Sequence, residues 1–378
     1  MPTIELSGVQ KSYVAGQLAV RNLHLEVPDG SFTCLLGPSG CGKTTTLRMI
    51  AGLEQPDAGE IRVGDRVLDS VAQGRFVPPE KREMGFVFQS YALWPHLTVR
   101  RNVDFGLRLR KCSRPERERR VAEAMRALHI EEYADRYPAQ LSGGQQQRVS
   151  LARMLAVSPD VLLLDEPLSN LDAALRLEMR TELKRLHAEL GHTVVFVTHD
   201  QLEAMTMATH IAVMKDGELQ QLAAPMEIYE RPANTFVAEF VGSPPMCMLD
   251  RETAPGAAAI WDFVAATDPE LAVQAGTIGI RPESIMLAAD HLAVPEGCLA
   301  FPVTVTAVLP TGSTWIVSLD GPGGEMFAVT STPPVGGVGD EVVAWVPRER
   351  LHVFDDAGVR LTARHERVAG DEPVEAIR

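Results

Sequence analysis

From residue 241 to its end the chain contains no lysine at all. That stretch has 8 arginines against 19 acidic residues, so it carries −11 of the chain's net charge of −14 and leaves −3 for the first 240 residues. A shift of this size marks two units with different surfaces. The overall acidity argues against a nucleic-acid binder relying on general electrostatic attraction. Cysteine is scarce: Cys34, Cys41, Cys112, Cys247 and Cys298 are odd in number, widely spaced and never CxxC. A disulfide framework or a cysteine zinc site is not expected, and a reducing compartment is. No apolar run approaches the roughly 18 residues of a membrane span. Met1 to Leu6 has neither a basic nor an apolar region of the signal-peptide kind, so no signal peptide is expected. Any membrane role must work through a partner. What is present is ordinary for a globular chain: with 378 residues and 45% apolar content there is material for a sizeable core and two or three domains.

Local patterns sort the chain further. Ile4–Val9 and Leu23–Val27 alternate like strands, with a turn at Pro28-Asp29-Gly30. Phe32–Leu36 and Val161–Leu164 read as short buried strands, and Thr193–Val197 as a third core strand. Helices are expected from Thr44 to Gly52, over 115–129, after the N-cap candidate Ser142, and from Asp172 to Leu190. Strands alternating with helices predict an α/β fold with a mainly parallel sheet. After about residue 240 proline and glycine become frequent. Thr277–Ile280, Val303–Val308, Trp315–Leu319 and Val342–Val346 then recur as β-like runs, predicting a small all-β barrel or sandwich. Val241–Pro245 reads as a linker. The expected division is 1–240, 241–364, and a polar tail over 365–378.

Three motifs carry chemistry. Gly37-Pro38-Ser39-Gly40-Cys41-Gly42-Lys43-Thr44 follows a strand and opens a helix. Its glycines let backbone N–H groups curl toward phosphate oxygens, and the helix adds its positive end. Lys43 suits the β- and γ-phosphates, and Thr44 a Mg²⁺ ligand. Val161–Asp165 is an apolar strand ending in an acid that can hold Mg²⁺ at the sheet edge. Glu166 beside it is placed to orient or deprotonate a water. Leu141-Ser142-Gly143-Gly144-Gln145 sets two glycines after a capping serine and forms a second anion site. One phosphate-loop domain has no need of a second such site, so it points to a composite site shared by two copies. The Cys41 side chain is expected to fill space within the loop.

With these residues in hand, the chain resembles the ABC-transporter ATPase family over roughly residues 3 to 240. Gly37–Thr44 resembles Walker A, Val161–Glu166 resembles Walker B with its catalytic glutamate, and Leu141–Gln145 resembles the family signature. Gln89, in Phe86-Val87-Phe88-Gln89-Ser90, resembles the Q-loop glutamine that senses Mg²⁺ and water and faces the membrane subunit. Ser169-Asn170-Leu171-Asp172 resembles the D-loop, and His199 the switch histidine on the γ-phosphate. Tyr13 stands where the family places an aromatic that stacks on adenine. The resemblance implies a P-loop ATPase domain with a helical subdomain at about 90–158 and an antiparallel β subdomain. It implies ATP and Mg²⁺ as cofactors. The implied site is Tyr13, Gly37, Pro38, Ser39, Gly40, Cys41, Gly42, Lys43, Thr44 and Thr45 of one copy with Ser142, Gly143, Gly144, Gln145 and Asp172. Thr44, Gln89 and Asp165 would serve the metal, and Glu166, His199, Gln89 and Lys43 the reaction.

Ser90–Val99 and Ala223–Tyr229 are similar to importer ATPases of the maltose, glycerol-phosphate, polyamine, iron and sulfate type. Gly279–Glu283 and Val338–Val343 resemble the OB-like (TOBE) regulatory domain of those proteins. Phe236–Ala238 and Phe240–Met246 resemble the carbohydrate branch, although Cys247 stands where that branch usually has Asn. The resemblance therefore implies a head-to-tail dimer that works with permease subunits on the cytoplasmic face of the membrane, and indirectly with a solute-binding protein. The implied cargo is carbohydrate or glycerol phosphate. Polyamine, ferric ion or sulfate import is the nearest alternative. A soluble ABC ATPase outside transport is another, but long coiled-coil inserts and tandem copies are absent. A GTPase would need an Asn-Lys-x-Asp motif, and none occurs.

Overall fold

The computed structural model describes residues 1–14, 16–169, 171–252 and 257–362. The chain divides into two compact units, Met1–Glu227 and Ile228 onward.

The first unit is built on two sheets. One is antiparallel, with strands β1 (Ile4–Val14), β2 (Gln17–Val27), β4 (Ala58–Val63), β5 (Arg66–Ser70) and β6 (Arg75–Phe76) in the order β2-β1-β4-β5-β6. The other has β3 (Phe32–Leu36), β7 (Gly85–Val87), β8 (Val161–Asp165), β9 (Thr193–Thr198), β10 (His210–Lys215) and β11 (Glu218–Ala223) in the order β11-β10-β3-β9-β8-β7. Its five strands from β10 to β7 run parallel, and β11 closes the edge antiparallel. Every residue of β3, β8 and β9 is buried, which is why those segments read as continuous apolar runs. The parallel register sets Leu36 beside Thr198, and Asp165 beside Val197. The segments that leave β3, β8, β9 and β7 thus emerge at one edge of the sheet. They are Gly37–Thr44, Glu166, His199 and Gln89. Ligands of open α/β sheets gather at this carboxyl edge.

Helices complete the unit: α1 (Lys43–Ala51), α2 (Val99–Leu109), α3 (Arg114–Ala127), α4 (Gly143–Val157), α5 (Ala173–Leu190) and α6 (Gln201–Met207). The far end of α1 is held by Arg82, which is only 3% exposed. Its Nη1 donates to the carbonyls of Met49 and Ile50 at 2.8 and 2.9 Å, and its Nη2 to Asp69 Oδ2 at 2.7 Å. Removing one partner of such a buried pair costs about 3–5 kcal/mol, because the other is left uncompensated.

The chain passes to the second unit through α7 (Pro225–Glu230) and continues in α8 (Thr235–Phe240). The strands are β12 (Cys247–Asp250), β13 (Thr277–Ile280), β14 (Met286–Ala288), β15 (Leu299–Pro310), β16 (Trp315–Gly321), β17 (Gly324–Thr330), β18 (Glu341–Val346), β19 (Leu351–Phe354) and β20 (Arg360–Leu361). They form two antiparallel sheets, β12-β13-β19-β20 and β14-β18-β15-β16-β17. The two share one apolar core containing Leu249, Ile278, Phe301, Val303 and Leu319. All four β-like runs predicted here are strands. Two helices, α9 (Ala258–Thr267) and α10 (Pro269–Gln274), interrupt the β unit, and Trp261 and Ile260 of α9 belong to its core.

Val241–Pro245 is not a free linker. Val241 is 1% exposed, and Arg281 anchors the segment by donating to the carbonyls of Ala238, Val241 and Tyr229. The polar tail expected over 365–378 lies outside the described residues.

Candidate active site

The phosphate-type loop begins where β3 ends. Gly40 and Gly42 have φ of +84° and +98°, a region that disfavours side chains. Gly37 has a different reason to be glycine: a Cβ there would sit 2.3 Å from the Met214 carbonyl oxygen. Pro38, Ser39 and Gly40 form the exposed crest, whereas Cys41 and Lys43 are 3% and 5% exposed. Lys43 Nζ donates to the carbonyls of Gly37 and Pro38 at 2.7 and 2.9 Å, which fixes its ammonium within the curl of the loop. Cys41 Sγ lies 3.7 Å from that ammonium. Burial pushes the Cys41 thiol up, with Lys43 pulling it back. The thiol therefore stays protonated and packs.

Thr44 Oγ1 donates to Asp165 Oδ1 at 3.0 Å. Asp165 is 5% exposed. Burial raises its carboxyl above the usual range, and Glu166 adds to this, while the Thr44 hydroxyl and Arg48, 3.9 Å away, oppose it. A hard cation would be well matched to this pair of oxygens. Glu166 follows with φ +43°, a left-handed backbone that is costly for a non-glycine residue. Its N–H donates to Val197 O at 3.1 Å, and its own carbonyl accepts the Ser169 hydroxyl at 3.0 Å. Gln89 Nε2 donates to Glu166 Oε2 at 3.2 Å, and His199 Nδ1 lies 3.4 Å from the same oxygen. Four strand ends thereby deliver Lys43/Thr44, Asp165/Glu166, His199 and Gln89 to one cluster.

Tyr13 is 56% exposed, with its hydroxyl 3.4 Å from Thr45 Oγ1 and Lys11 Nζ 5.7 Å from its ring centre. Ser142 caps α4 in a reciprocal box: Gln145 N–H donates to Ser142 Oγ at 3.4 Å, and Ser142 N–H to Gln145 Oε1 at 3.0 Å. Ser142 and Gly143 are exposed, whereas Gly144 is buried, and a Cβ on it would fall 1.9 Å from Leu175 Cδ2. Among the described residues no hydrogen bond joins Ser142–Gln145 to Gly37–Thr45. Asp172 caps α5, accepting the Leu175 N–H at 3.0 Å. Asn170 lies outside the described residues.

Sequence reasoning missed Ser169 as a partner of Gln89, at 3.4 Å, and Arg48 as a cation beside Asp165. Arg48 sits four residues after Thr44 on α1, and that helical spacing was its only signal.

The profile described as ABC transporter matches residues 20–169, and that of the TOBE domain matches 278–354. A protein of Rhizobium meliloti named sn-glycerol-3-phosphate import ATP-binding protein UgpC is 46% identical over 367 residues, covering 96% of this chain and all of the relative. The chain belongs to the ABC transporter ATP-binding family. It is an ATPase that binds ATP and serves as the ATP-binding subunit of an importer. A trehalose/maltose import ATP-binding protein MalK of Thermococcus litoralis is 58% identical over 61% of this chain and 62% of its own length. Among solved structures, the ATP-binding cassette MJ0796 bound to ADP and Pi, in a dimeric post-hydrolysis state, aligns with a TM-score of 0.52 and 36% identity. It covers 59% of this chain and 98% of its own. The fold of this family accounts for both sheets of the first unit. The TOBE match falls on the β unit. No helix among the described residues is long and apolar enough to cross a membrane.

Proposed function

We propose that the chain hydrolyses ATP in a head-to-tail dimer that powers a membrane permease from the cytoplasmic side. The observation that carries the reading is the convergence of Gln89 and His199 on one oxygen of Glu166, next to the Thr44–Asp165 pair. Lys43 binds the β- and γ-phosphates, and the loop amides orient them. Tyr13, more than half exposed, stacks on the adenine. Ser142, Gly143, Gly144 and Gln145 of a second copy close over the γ-phosphate, with Asp172 at the same junction. The exposure of Ser142 and Gly143, away from the loop of their own chain, supports that pairing, as does the dimeric state of the related cassette.

Glu166 holds the attacking water and takes its proton. Gln89 keeps the Glu166 carboxylate turned toward that water, and His199 steadies the γ-phosphate. Thr44, Asp165 and Gln89 are the residues that would hold Mg²⁺. Each of the three carries a side-chain oxygen of the kind a hard divalent cation takes. Bound there, the ion would neutralise charge on the β- and γ-phosphates. The Gln89 segment passes the closing motion to the permease. The cargo is glycerol phosphate or carbohydrate: the glycerol-phosphate relative matches across 96% of the chain, and the sugar relative across 61% of it.

The test is Glu166→Gln. The variant should bind ATP, lose turnover and accumulate as a dimer. Near-normal hydrolysis would sink the base assignment. ATPase assays stimulated by a solute-loaded binding protein, run with glycerol phosphate and then maltose, decide the cargo.

A further inference from the structure

One buried cluster beside the site is not used by this reaction scheme. Glu203 of α6 is 4% exposed. Its Oε2 accepts a 2.6 Å hydrogen bond from the hydroxyl of Thr198, the residue before His199. That hydroxyl also accepts the N–H of Asp200, the residue after His199, at 3.0 Å. Asp200 in turn caps α6, accepting the N–H groups of Leu202 and Glu203 at 2.8 and 3.2 Å. Both chain neighbours of His199 are therefore fixed by Glu203 and by the start of α6.

Arg176, in the first turn of α5, reaches this frame from the other side. Its Nη2 donates to the Leu171 carbonyl at 3.1 Å. Its Nη1 donates to Asp200 Oδ2 at 3.5 Å, and its buried Nε, with no hydrogen-bond partner among the described residues, lies 3.8 Å from Glu203 Oε1. Leu171 is two residues from Ser169, whose hydroxyl binds the Glu166 carbonyl. Asp172 locks α5 to this loop, because its carbonyl accepts the Arg176 N–H at 2.9 Å.

We propose that Arg176 is a positioning residue for hydrolysis, a single guanidinium that ties the loop following Glu166 to the two carboxylates framing His199. The proposal rests on the assignment of Glu166 and His199 above. A displacement of that loop is then carried to the histidine rather than absorbed between them. The planar fork matters, since its two terminal nitrogens donate to the Leu171 carbonyl and to Asp200 while its charge faces Glu203; an ammonium supplies the charge without that geometry.

The electrostatics give the clamp a signature in pH. Burial pushes the Glu203 carboxyl above its ordinary range and Asp200 adds to this, while the Thr198 hydroxyl, Arg176 and Arg180 pull it down. Cys34 of β3 also faces it, and its thiol is pushed up by burial and by Glu203. Without Arg176 the Glu203 carboxyl rises further and stays protonated to higher pH. A protonated Glu203 no longer holds the guanidinium or the Thr198 hydroxyl in the same way.

The experiment is steady-state ATPase kinetics against pH on the full-length chain carrying Arg176→Gln, Arg176→Lys or Glu166→Gln, with thermal unfolding of each. Arg176→Gln is expected to lower kcat by roughly tenfold to a hundredfold, the scale of a misplaced catalytic group. The KM for ATP should stay within about twofold, as for a residue outside nucleotide binding. The acid limb of the kcat profile should move to higher pH. Arg176→Lys should return the limb toward its original position while recovering only part of kcat. An unchanged kcat, a loss with an unmoved limb, or a KM that rises as kcat falls would each overturn the proposal. Should Arg176→Gln fail to fold, Arg176→Lys decides alone: reduced kcat at unchanged KM supports the clamp, and full activity overturns it. If Glu166→Gln keeps its turnover, the assignment beneath the proposal falls with it. If Glu166→Gln is inactive while Arg176→Gln is not, only the clamp falls.

Discussion

Gly37–Thr44 and Ser142–Gln145 are both glycine-containing segments that feed a helix, yet they are finished differently. The first follows a fully buried strand, and Gly42 at the N-cap of α1 offers no side-chain cap. Its own lysine folds back onto the loop carbonyls. The second follows a short turn on the surface, and α4 is capped from within its own sequence by Ser142 and Gln145. An uncapped helix start beside a buried ammonium has amide groups that still need an anion. A capped and exposed start is stable alone and meets a ligand only from outside. The contrast supports the division of labour proposed above, in which one segment binds nucleotide and the other completes the site across two copies.

The comparison can be broken in four ways. Lys43→Ala should act on the first segment alone, weakening ATP binding about a hundredfold, as expected when a charge-assisted contact is lost. Unchanged affinity by calorimetry would refute the loop's role. Glu166→Gln should leave affinity intact and lower kcat by about 10² to 10⁴, the range of a lost general base. Gly144→Ala should act on the second segment. Its Cβ must displace the Leu175 side chain, at an overpacking cost of about 1–3 kcal/mol. Turnover should fall while the isolated chain binds ATP normally, and a parallel loss of binding would show that the segments are not separate. Ser142→Ala is the mildest, costing about 1 kcal/mol of cap stability. It should slow hydrolysis modestly and leave nucleotide affinity untouched, which a melting curve and a binding isotherm together would check.

Much of this architecture was legible because the signals are local. Apolar runs at Phe32–Leu36, Val161–Leu164 and Thr193–Val197 have one reading in a parallel sheet, and Ser142 and Asp172 announce helix starts by chemistry alone. Arg82 was not legible. It lies in Glu80-Lys81-Arg82-Glu83, which reads as a solvated turn, and its partner Asp69 comes from β5, thirteen residues earlier. The Arg176–Asp200–Glu203 cluster is equally silent in sequence, because 24 residues and a core strand separate the fork from its first carboxylate. Helix α9 was missed because its alanine-rich segment sits among β-like runs. The segment Val241–Pro245 has the composition of a linker, and only the buried Arg281, forty residues downstream, makes it part of a core.

The left-handed backbone at Glu166 has an evolutionary consequence. A glycine there would relieve roughly 1 kcal/mol of strain and at the same time delete the carboxylate. With Glu166 as the base proposed above, selection for thermal robustness alone would therefore drift toward a better-folded chain that binds ATP without hydrolysing it. Directed evolution of this chain for heat tolerance therefore needs an activity screen at every round.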